Sequence, residues 1–170
     1  MEFTFEMNYD RKSMTAMAKA MRKGLQNDQD KTSKVIGWVF VFLTVLILIS
    51  SGKTEWTQIL AGILVICFAA YLVFSDTINA IAALWKLPSK LRKGIWLFRE
   101  DGYFSNTEAG ESDYSYENIF AIIESPDYIF LVFYNKQAQI LDINTIKGGT
   151  LQEFRKLLRR KTNLTIQNFS

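Results

Sequence analysis

Two apolar segments near the middle of the chain constrain its fold more than any other feature. They span residues 35–49 and 56–74, neither contains a charged residue, and only residues 50–55 separate them. A helix that crosses a bilayer needs about 20 apolar residues, and each segment lies near the lower limit of that range. The pair predicts a transmembrane helical hairpin. The alternative is a pair of buried core helices, which we disfavour because both segments are apolar on every face.

The distribution of basic residues gives this hairpin an orientation. Lysine and arginine crowd both outer flanks, whereas the segment between the spans carries only Lys53 beside Glu55. Cytoplasmic flanks of membrane helices carry an excess of basic residues, so we expect both termini in the cytoplasm and a short external turn. The first residues, MEFTFEMNYD, lack the basic start of a secretory signal peptide, and we expect no such signal.

The segment 76–94 follows the second apolar stretch and combines an apolar side with basic residues. This pattern predicts an amphipathic helix at the level of the lipid headgroups, which Pro88 should end or kink. The candidate contacts for anionic headgroups are Lys86, Lys90, Arg92 and Lys93. A basic residue at an anionic surface contributes about 1 kcal/mol to binding. The alternative is that these residues are only the orienting charges of a cytoplasmic flank.

The composition excludes several classes of chemistry. The chain has no histidine, and its one cysteine, Cys67, lies inside the second apolar segment. We therefore expect no histidine-based catalysis, no thiolate metal site, no cofactor and no enzyme activity. The carboxylates of Glu108, Glu111 and Asp113 fall in a turn-rich segment, where a solvated loop is the better interpretation. The net charge of +3 is concentrated beside the predicted membrane, which argues against nucleic acid as a partner.

Residues 1–31 are predicted to form a cytoplasmic strand followed by a helix. Apolar and polar residues alternate over residues 2–7, as in a half-buried strand. Asp10 is a suitable N-cap for a helix that reaches about residue 26. One side of that helix carries Met14, Met17, Met21 and Leu25. Such a stripe is either an adaptable binding surface or, as we favour, a face that packs on the cytoplasmic domain.

The C-terminal part of the chain alternates short apolar runs with turn signals. The runs cover residues 95–99, 103–104, 119–124, 128–134 and 138–143, and they predict a meander of antiparallel strands. Residues 107–113 are predicted to form an acidic loop. Thr150 and Glu153 have the spacing of a capping box at the start of a final helix. The buried side of that helix is expected to contain Leu151, Phe154, Leu157 and Leu158.

Four short patches in this part carry a resemblance to a known family. They are Glu100-Asp101-Gly102, the stretch YSYENI at 114–119, the stretch ESPDYIFL at 124–131, and LQEFRKLL at 151–158. With the N-terminal strand and helix and the membrane hairpin, these patches resemble the YcxB-like proteins of bacteria. The resemblance implies a pleckstrin-homology-like (PH-like) C-terminal domain and a bacterial cytoplasmic membrane. It implies no activity and no catalytic residues.

The sequence therefore predicts an α+β membrane protein with four parts. These parts are an N-terminal strand and helix (1–31), a two-helix transmembrane hairpin (32–75), a juxtamembrane amphipathic basic helix (76–94), and a cytoplasmic PH-like domain (95–170). The domain is expected to be an antiparallel β structure closed by a C-terminal helix. The N-terminal strand and helix are expected to pack on it.

Two functions fit these predictions. The first is a membrane-anchored, non-enzymatic binding module whose cytoplasmic domain recruits a protein or lipid partner. The alternative is an immunity protein that protects the producing bacterium against a membrane-directed toxin. Its helix contacts in the membrane would use Ala61, Gly62, Ala69 and Ala70, although these small residues would also suit packing of one span on the other. Two spans without an internal charge offer no ion pathway unless the chain forms a homo-oligomer.

Overall fold

The structure is a computed structural model that describes residues 2–25, 27–50, 56–135 and 137–168. The helices within these residues are α1 (Arg11–Leu25), α2 (Asn27–Ser50), α3 (Trp56–Lys86) and α4 (Leu151–Thr162). The strands are β1 (Phe3–Asn8), β2 (Lys93–Phe98), β3 (Tyr103–Thr107), β4 (Gly110–Tyr114), β5 (Ile119–Glu124), β6 (Tyr128–Phe133), β7 (Ala138–Asp142) and β8 (Ile166–Asn168). The predicted α+β class is confirmed.

The strands form two sheets of four, and the first one joins distant parts of the chain. Its order is β1-β2-β3-β4, and the second sheet has the order β7-β6-β5-β8. Strand β1 pairs antiparallel with β2, with Phe3 opposite Phe98 and Asn8 opposite Lys93. The helices α1 to α3 are therefore inserted between two neighbouring strands of one sheet. All strand pairs are antiparallel except that of β5 with β8.

An aromatic core fills the space between the two sheets, and α4 closes it. The ring of Phe154 on α4 lies 4.6 Å from Phe5 and 4.9 Å from Phe98, between ring centroids. The predicted capping box starts this helix, because the Thr150 side chain accepts from the Glu153 backbone N–H and the Glu153 carboxylate accepts from the Thr150 backbone N–H. Phe154, Leu157 and Leu158 are buried, as the sequence predicted, and Leu151 is half-buried.

The other face of the second sheet is covered by α1. Asp10 caps this helix as predicted, since its Oδ1 accepts from the Ser13 backbone N–H at 2.7 Å. Met14 and Ala20 are buried against residues of β5, β6 and β7. Every residue of β6 is buried, because one face of that strand meets the aromatic core and the other meets α1. This double burial explains its uninterrupted apolar run, YIFLVF.

Helices α2 and α3 pack against each other through narrow stripes and expose their other faces. Gly37 is buried, and the rings of Phe40 and Phe68 make an edge contact at 6.2 Å. Among the described residues, one helical segment, Ile59–Lys86 of α3, is long and apolar enough to cross a membrane, whereas the apolar part of α2, Lys34–Ile49, is shorter. The predicted second span stays a prediction. Ser50, the first residue of the predicted external turn, belongs to α2, and the other turn residues, 51–55, lie outside the described residues.

Two local elements differ from the sequence predictions. Residues 107–113 do not form a loop, because Thr107 pairs with Gly110 and the following residues form the edge strand β4. This prediction was wrong because an exposed edge strand carries polar side chains and shows no apolar alternation. The segment 76–86 is continuous with the second apolar stretch in one helix, α3. That helix ends at Lys86, just before the residue that precedes Pro88, as expected from the steric effect of proline.

Candidate functional site

A cleft lies between α1, the C-terminal end of α3 and the two sheets. We call it the Met cleft because four of its lining residues are methionines: Met7, Met14, Met17 and Met21. Its volume is about 420 Å³. Met7 comes from β1 and the other three come from α1, so the cleft combines the two elements that the sequence placed at the N-terminus. Flexible thioether side chains suit a surface that adapts to its ligand.

The remaining walls of the Met cleft come from α3, from the turn that follows it and from the sheets. Ala83 of α3, Leu87 and Leu91 line one side. Aromatic side chains of the sheets line the other side, among them Trp96 and Phe133. None of the described lining residues carries a charged side chain. The cleft is therefore lined mainly by apolar surface, and its polar groups are uncharged.

Two buried polar atoms of residues that line the Met cleft have no hydrogen-bond partner among the described residues. They are the Nε1 of Trp96, a donor, and the Oε1 of Gln139, an acceptor. Trp96 is 2% exposed and Gln139 is 6% exposed. Buried polar groups are nearly always paired, so two orphaned groups among the residues of one cleft require a physical explanation. A third orphaned group, the hydroxyl of Tyr103, belongs to the aromatic core.

Tyr9 links β1 to α1 and forms part of the same cleft. Its backbone N–H donates to the Arg92 carbonyl at 2.7 Å. The backbone N–H of Ile140 donates to its hydroxyl, while burial raises the pKa of this hydroxyl well above the ordinary value. The phenol therefore stays neutral at physiological pH. It contributes a dipole to the cleft and no charge.

The predicted headgroup contacts divide into two kinds. The guanidinium of Arg92 donates to the carbonyl oxygens of Leu84 at 2.9 Å and Leu87 at 3.2 Å. It thus caps the C-terminus of α3, where carbonyls lack partners and the helix dipole favours a cation. Lys86, Lys90 and Lys93 are exposed, whereas Arg92 is half-buried. Whether any of them contacts lipid stays a prediction.

The predicted helix-contact residues lie at different depths on α3. Ala61, Gly62 and Ala69 are half-buried, and Ala70 is exposed. A Cβ built on Gly62 would meet no atom within 4 Å. The close approach of the two helices lies instead at Gly37 of α2, where a Cβ would come within 3.0 Å of the Leu72 side chain. Gly37 is absent from the predicted contact residues, although a glycine inside an apolar segment is a known signal of close helix contact.

An ion pair holds α1 to α3 beside the Met cleft. The Arg22 side chain donates from Nε and Nη2 to the two carboxylate oxygens of Asp76, at 2.8 and 2.7 Å. About one fifth of each side chain is exposed. Bidentate pairs of this kind fix orientation as well as distance. The sequence predictions gave Asp76 no partner. An acidic residue that directly follows an apolar segment nevertheless indicates that a basic partner lies nearby.

A second, more open groove lies between α1 and the turn that joins β5 to β6. Its lining includes Lys12, Asp127 and Tyr128, and its volume is about 740 Å³. The Lys12 ammonium donates to Asp127 at 3.1 Å, and both side chains are well exposed. Lys12 and Asp127 are thus paired with each other in contact with solvent. The Met cleft is the stronger candidate because its lining is uncharged and mainly apolar and includes two residues with a buried, unpaired polar atom.

The described residues show no group of three or more His, Cys, Asp or Glu side chains that could hold a metal ion. Glu108, at the β3–β4 turn, and Glu111 and Asp113, in β4, are all exposed. The amide of Asn106 donates to Glu111 at 3.0 Å across this hairpin. Carboxylates in this setting make ordinary surface hydrogen bonds.

Comparisons with known proteins give a family match for part of the chain. Residues 98–158 match the family model described as YcxB-like protein, which confirms the resemblance over that segment. No curated protein matches the chain. A similar solved structure is described as the Spt16D Pob3N heterodimer, with 12% identity and a TM-score of 0.33. The likeness covers 44% of this chain and 44% of that chain.

Proposed function

We propose that this protein is a membrane-anchored, non-enzymatic binding module. In this proposal α2 and α3 both cross the cytoplasmic membrane of a bacterium, and both termini lie in the cytoplasm. The two sheets and α4 form a PH-like domain that recruits a protein or lipid partner at the membrane surface. The Met cleft is the proposed recruiting site.

The observation that carries this proposal is the exposed apolar surface of both helices. Ile36 and Ile49 of α2 are 64% and 74% exposed, and Leu64 and Ile66 of α3 are 69% and 70% exposed. Water-exposed apolar patches of this extent are rare on proteins and mark interaction or membrane surfaces. Helix α2 has 24 residues and is about 36 Å long, but its apolar part, Lys34–Ile49, is about 24 Å long. A span by α2 would therefore require local thinning of the hydrocarbon core, which is roughly 30 Å thick.

The contact of α1 with α3 supports a fixed position of the domain at the membrane. Ala20 of α1 and Ala80 of α3 are both buried in one cluster with the second sheet. The ion pair between Arg22 and Asp76 reinforces this contact. The end of α3 is therefore part of the domain and not a free tether. A ligand in the Met cleft would lie beside the end of the helix that anchors the protein.

Labelling of single cysteines tests the membrane part of the proposal. In a Cys67→Ser background, a cysteine replaces either Lys53, in the predicted external turn, or Glu108, at the exposed β3–β4 turn. We expect an impermeant maleimide to label position 53 in intact spheroplasts and position 108 only after lysis. Labelling of position 108 before lysis, or recovery of the chain outside the membrane fraction, would refute the proposal.

A second candidate function is that of an immunity protein. The environment of Gly62 supports this candidate. Since a Cβ at Gly62 would meet nothing within 4 Å, this glycine does not serve the contact between α2 and α3. Ala70 is also exposed. Both small residues would be available to a helix that approaches within the bilayer. The test is whether expression of the chain protects cells that are exposed to a membrane-directed toxin, and whether Gly62→Leu abolishes that protection.

A further inference from the structure

One face of α3 carries a long apolar stripe whose residues recur at alternating intervals of four and three. We call it the α3 stripe, and its residues are Leu60, Leu64, Cys67, Tyr71, Phe74, Ile78, Ile81 and Trp85. Ile81 is half-buried and the others are exposed. Helices with apolar residues at this spacing pair side by side. We propose that two copies of this chain associate as a parallel dimer through the α3 stripe. This inference rests on the proposed function, because it takes α3 as a membrane span.

Helices α1 and α2 contact α3 on other sides and leave the stripe open. The Leu72 side chain lies against α2. Arg22 of α1 bonds Asp76, and Ala80 is buried in the cluster that includes α1. An α-helix turns by about 100° per residue, so Asp76 and Ala80, each two residues from Ile78, point away from it. Among the described residues, the α3 stripe therefore has space for another helix.

A group of charged residues marks where α3 leaves the hydrocarbon core of the membrane. The carboxylate of Asp76 accepts from Arg22, and the charges of Lys34 and Lys19 also act on it. Lys34 stands at the start of the apolar part of α2. Charged side chains avoid the hydrocarbon core because they are costly there. The core therefore ends near Asp76, and the rest of α3 continues on the cytoplasmic side.

The α3 stripe extends beyond this level. Ile78 is 43% exposed and Trp85 is 81% exposed. The rise from Asp76 to Trp85 is about 13 Å, whereas the headgroup layer adds only about 5–8 Å on each side of the core. A helix tilt of about 20°, the ordinary value, hardly reduces that rise. The bilayer thus does not reach Trp85, and an exposed apolar surface at this position indicates a protein contact.

A second copy of the chain fits this surface because it carries the same stripe at the same height. Both copies enter the membrane in one orientation, so a parallel pair places each Ile78 and each Trp85 beside its counterpart. The charged residues of α3, Asp76 and Lys86, lie outside the stripe. The contact therefore does not oppose like charges, which would be costly. The β-sheets of the two copies would flank the helix pair, since α1 joins them to the other side of α3.

Cysteine crosslinking of the full chain in isolated membranes tests this contact. In a Cys67→Ser background, Ile78→Cys places a thiol on the stripe, and Asn79→Cys places one at the next position, which is exposed but off the stripe. Disulfides form only between cysteines that approach closely. We expect oxidation with copper phenanthroline to convert most of the Ile78→Cys chain to a disulfide-linked dimer and to leave the Asn79→Cys chain monomeric.

A second matched pair of variants measures the contribution of the stripe within the bilayer. Leu64 and Ile66 are exposed to the same extent, but only Leu64 belongs to the stripe. Energy transfer between labelled full chains in proteoliposomes, diluted with lipid, gives the dimer affinity. Leu64→Ala should weaken dimerisation about threefold to tenfold, and Trp85→Ala should weaken it about tenfold or more, because large aromatic residues contribute most at contacts. Ile66→Ala should leave the affinity unchanged.

Each contrary result has a defined meaning. Equal crosslinking of Ile78→Cys and Asn79→Cys, or equal effects of Leu64→Ala and Ile66→Ala, would overturn the inference. So would crosslinking of Ile78→Cys to another membrane protein, which assigns the stripe to that protein. Quenching of Trp85 fluorescence by brominated lipid, measured against Trp85→Phe, would assign the stripe to the bilayer and also overturn it. Recovery of the chain outside membranes contradicts the proposed function itself, whereas a chain that is monomeric in the membrane refutes only the dimer.

Discussion

Arg92 and Lys90 lie two positions apart, and the structure assigns them different roles. The Arg92 guanidinium donates to two carbonyl oxygens at the end of α3, and Lys90 is exposed. A hydrogen bond from a charged donor contributes about 1.5–3 kcal/mol when it is well shielded. Because Arg92 is half-buried, we discount this value and expect Arg92→Gln to cost about 1–2 kcal/mol in total. For a chain of this size the loss corresponds to about 2–8 °C in the thermal midpoint.

Lys90→Gln is the matched control for this prediction. It should leave the thermal midpoint within about 2 °C, since surface substitutions cost at most about 0.5 kcal/mol. If Lys90 contacts headgroups, Lys90→Gln should instead weaken the free energy of binding to anionic vesicles by about 1 kcal/mol. The assay compares thermal unfolding in nanodiscs with flotation on vesicles that contain phosphatidylglycerol. A stable Arg92→Gln variant with reduced flotation would show that Arg92 is a headgroup contact and that the capping argument is wrong.

Three further predictions concern the core, the helix pair and the last helix. Phe154→Ala should lower the free energy of unfolding by about 3–5 kcal/mol, because it leaves a cavity among buried aromatic rings, and chemical denaturation measures this. Gly37→Leu should separate α2 from α3 and lower thermal stability, whereas Gly62→Leu should be tolerated, because a Cβ there meets open space. Hydrogen bonds from Thr150 lower the pKa of Glu153, so its contribution to stability is present above the ordinary pKa of 4.5 and is lost as the pH falls through the lowered value. Glu153→Gln should therefore flatten the pH dependence of the thermal midpoint below pH 4.5, and a variant as acid-sensitive as the parent would contradict this.

Local signals allowed correct prediction of several elements from sequence. The Asp10 cap, the capping box at Thr150 and the alternation in β1 each depend on residues within one turn or one strand. Such signals need no information about the rest of the chain. The methionine stripe was also visible, and the favoured interpretation that it packs on the domain is confirmed for the buried Met14. The same stripe also lines the cleft, so the two interpretations were not exclusive.

The Met cleft itself could not be predicted, because its parts meet only through long-range pairing. Trp96 and Gln139 belong to different sheets, and the register of β1 on β2 brings Met7 beside them. No local pattern marks Trp96 as an unpaired donor. The residues around Trp96 predict a short apolar strand, and the structure contains that strand as β2. The orphaned atoms are visible only when every possible partner in the folded chain is known.

The insertion of α1 to α3 between β1 and β2 leads to a final prediction about the smallest unit that folds. Asn8 lies opposite Lys93 in the antiparallel pair, so a short Asn-Gly turn could join β1 directly to β2. Such a chain would restore the aromatic core but would lack α1, which covers Ile123 and Phe130 on the other face of the second sheet. We expect it to form β structure and to aggregate through this uncovered face.

A matched chain that keeps residues 2–25 and joins Leu25 to Lys93 through a flexible linker should stay monomeric at the same concentration. Light scattering and circular dichroism compare the two chains. If the shorter chain is also monomeric and folded, α1 is dispensable for the sheets, and its role is limited to the Met cleft and the contact with α3. The membrane anchor would then be a separable insertion in the domain, and the rigid placement of the cleft beside α3 would depend on α1 alone.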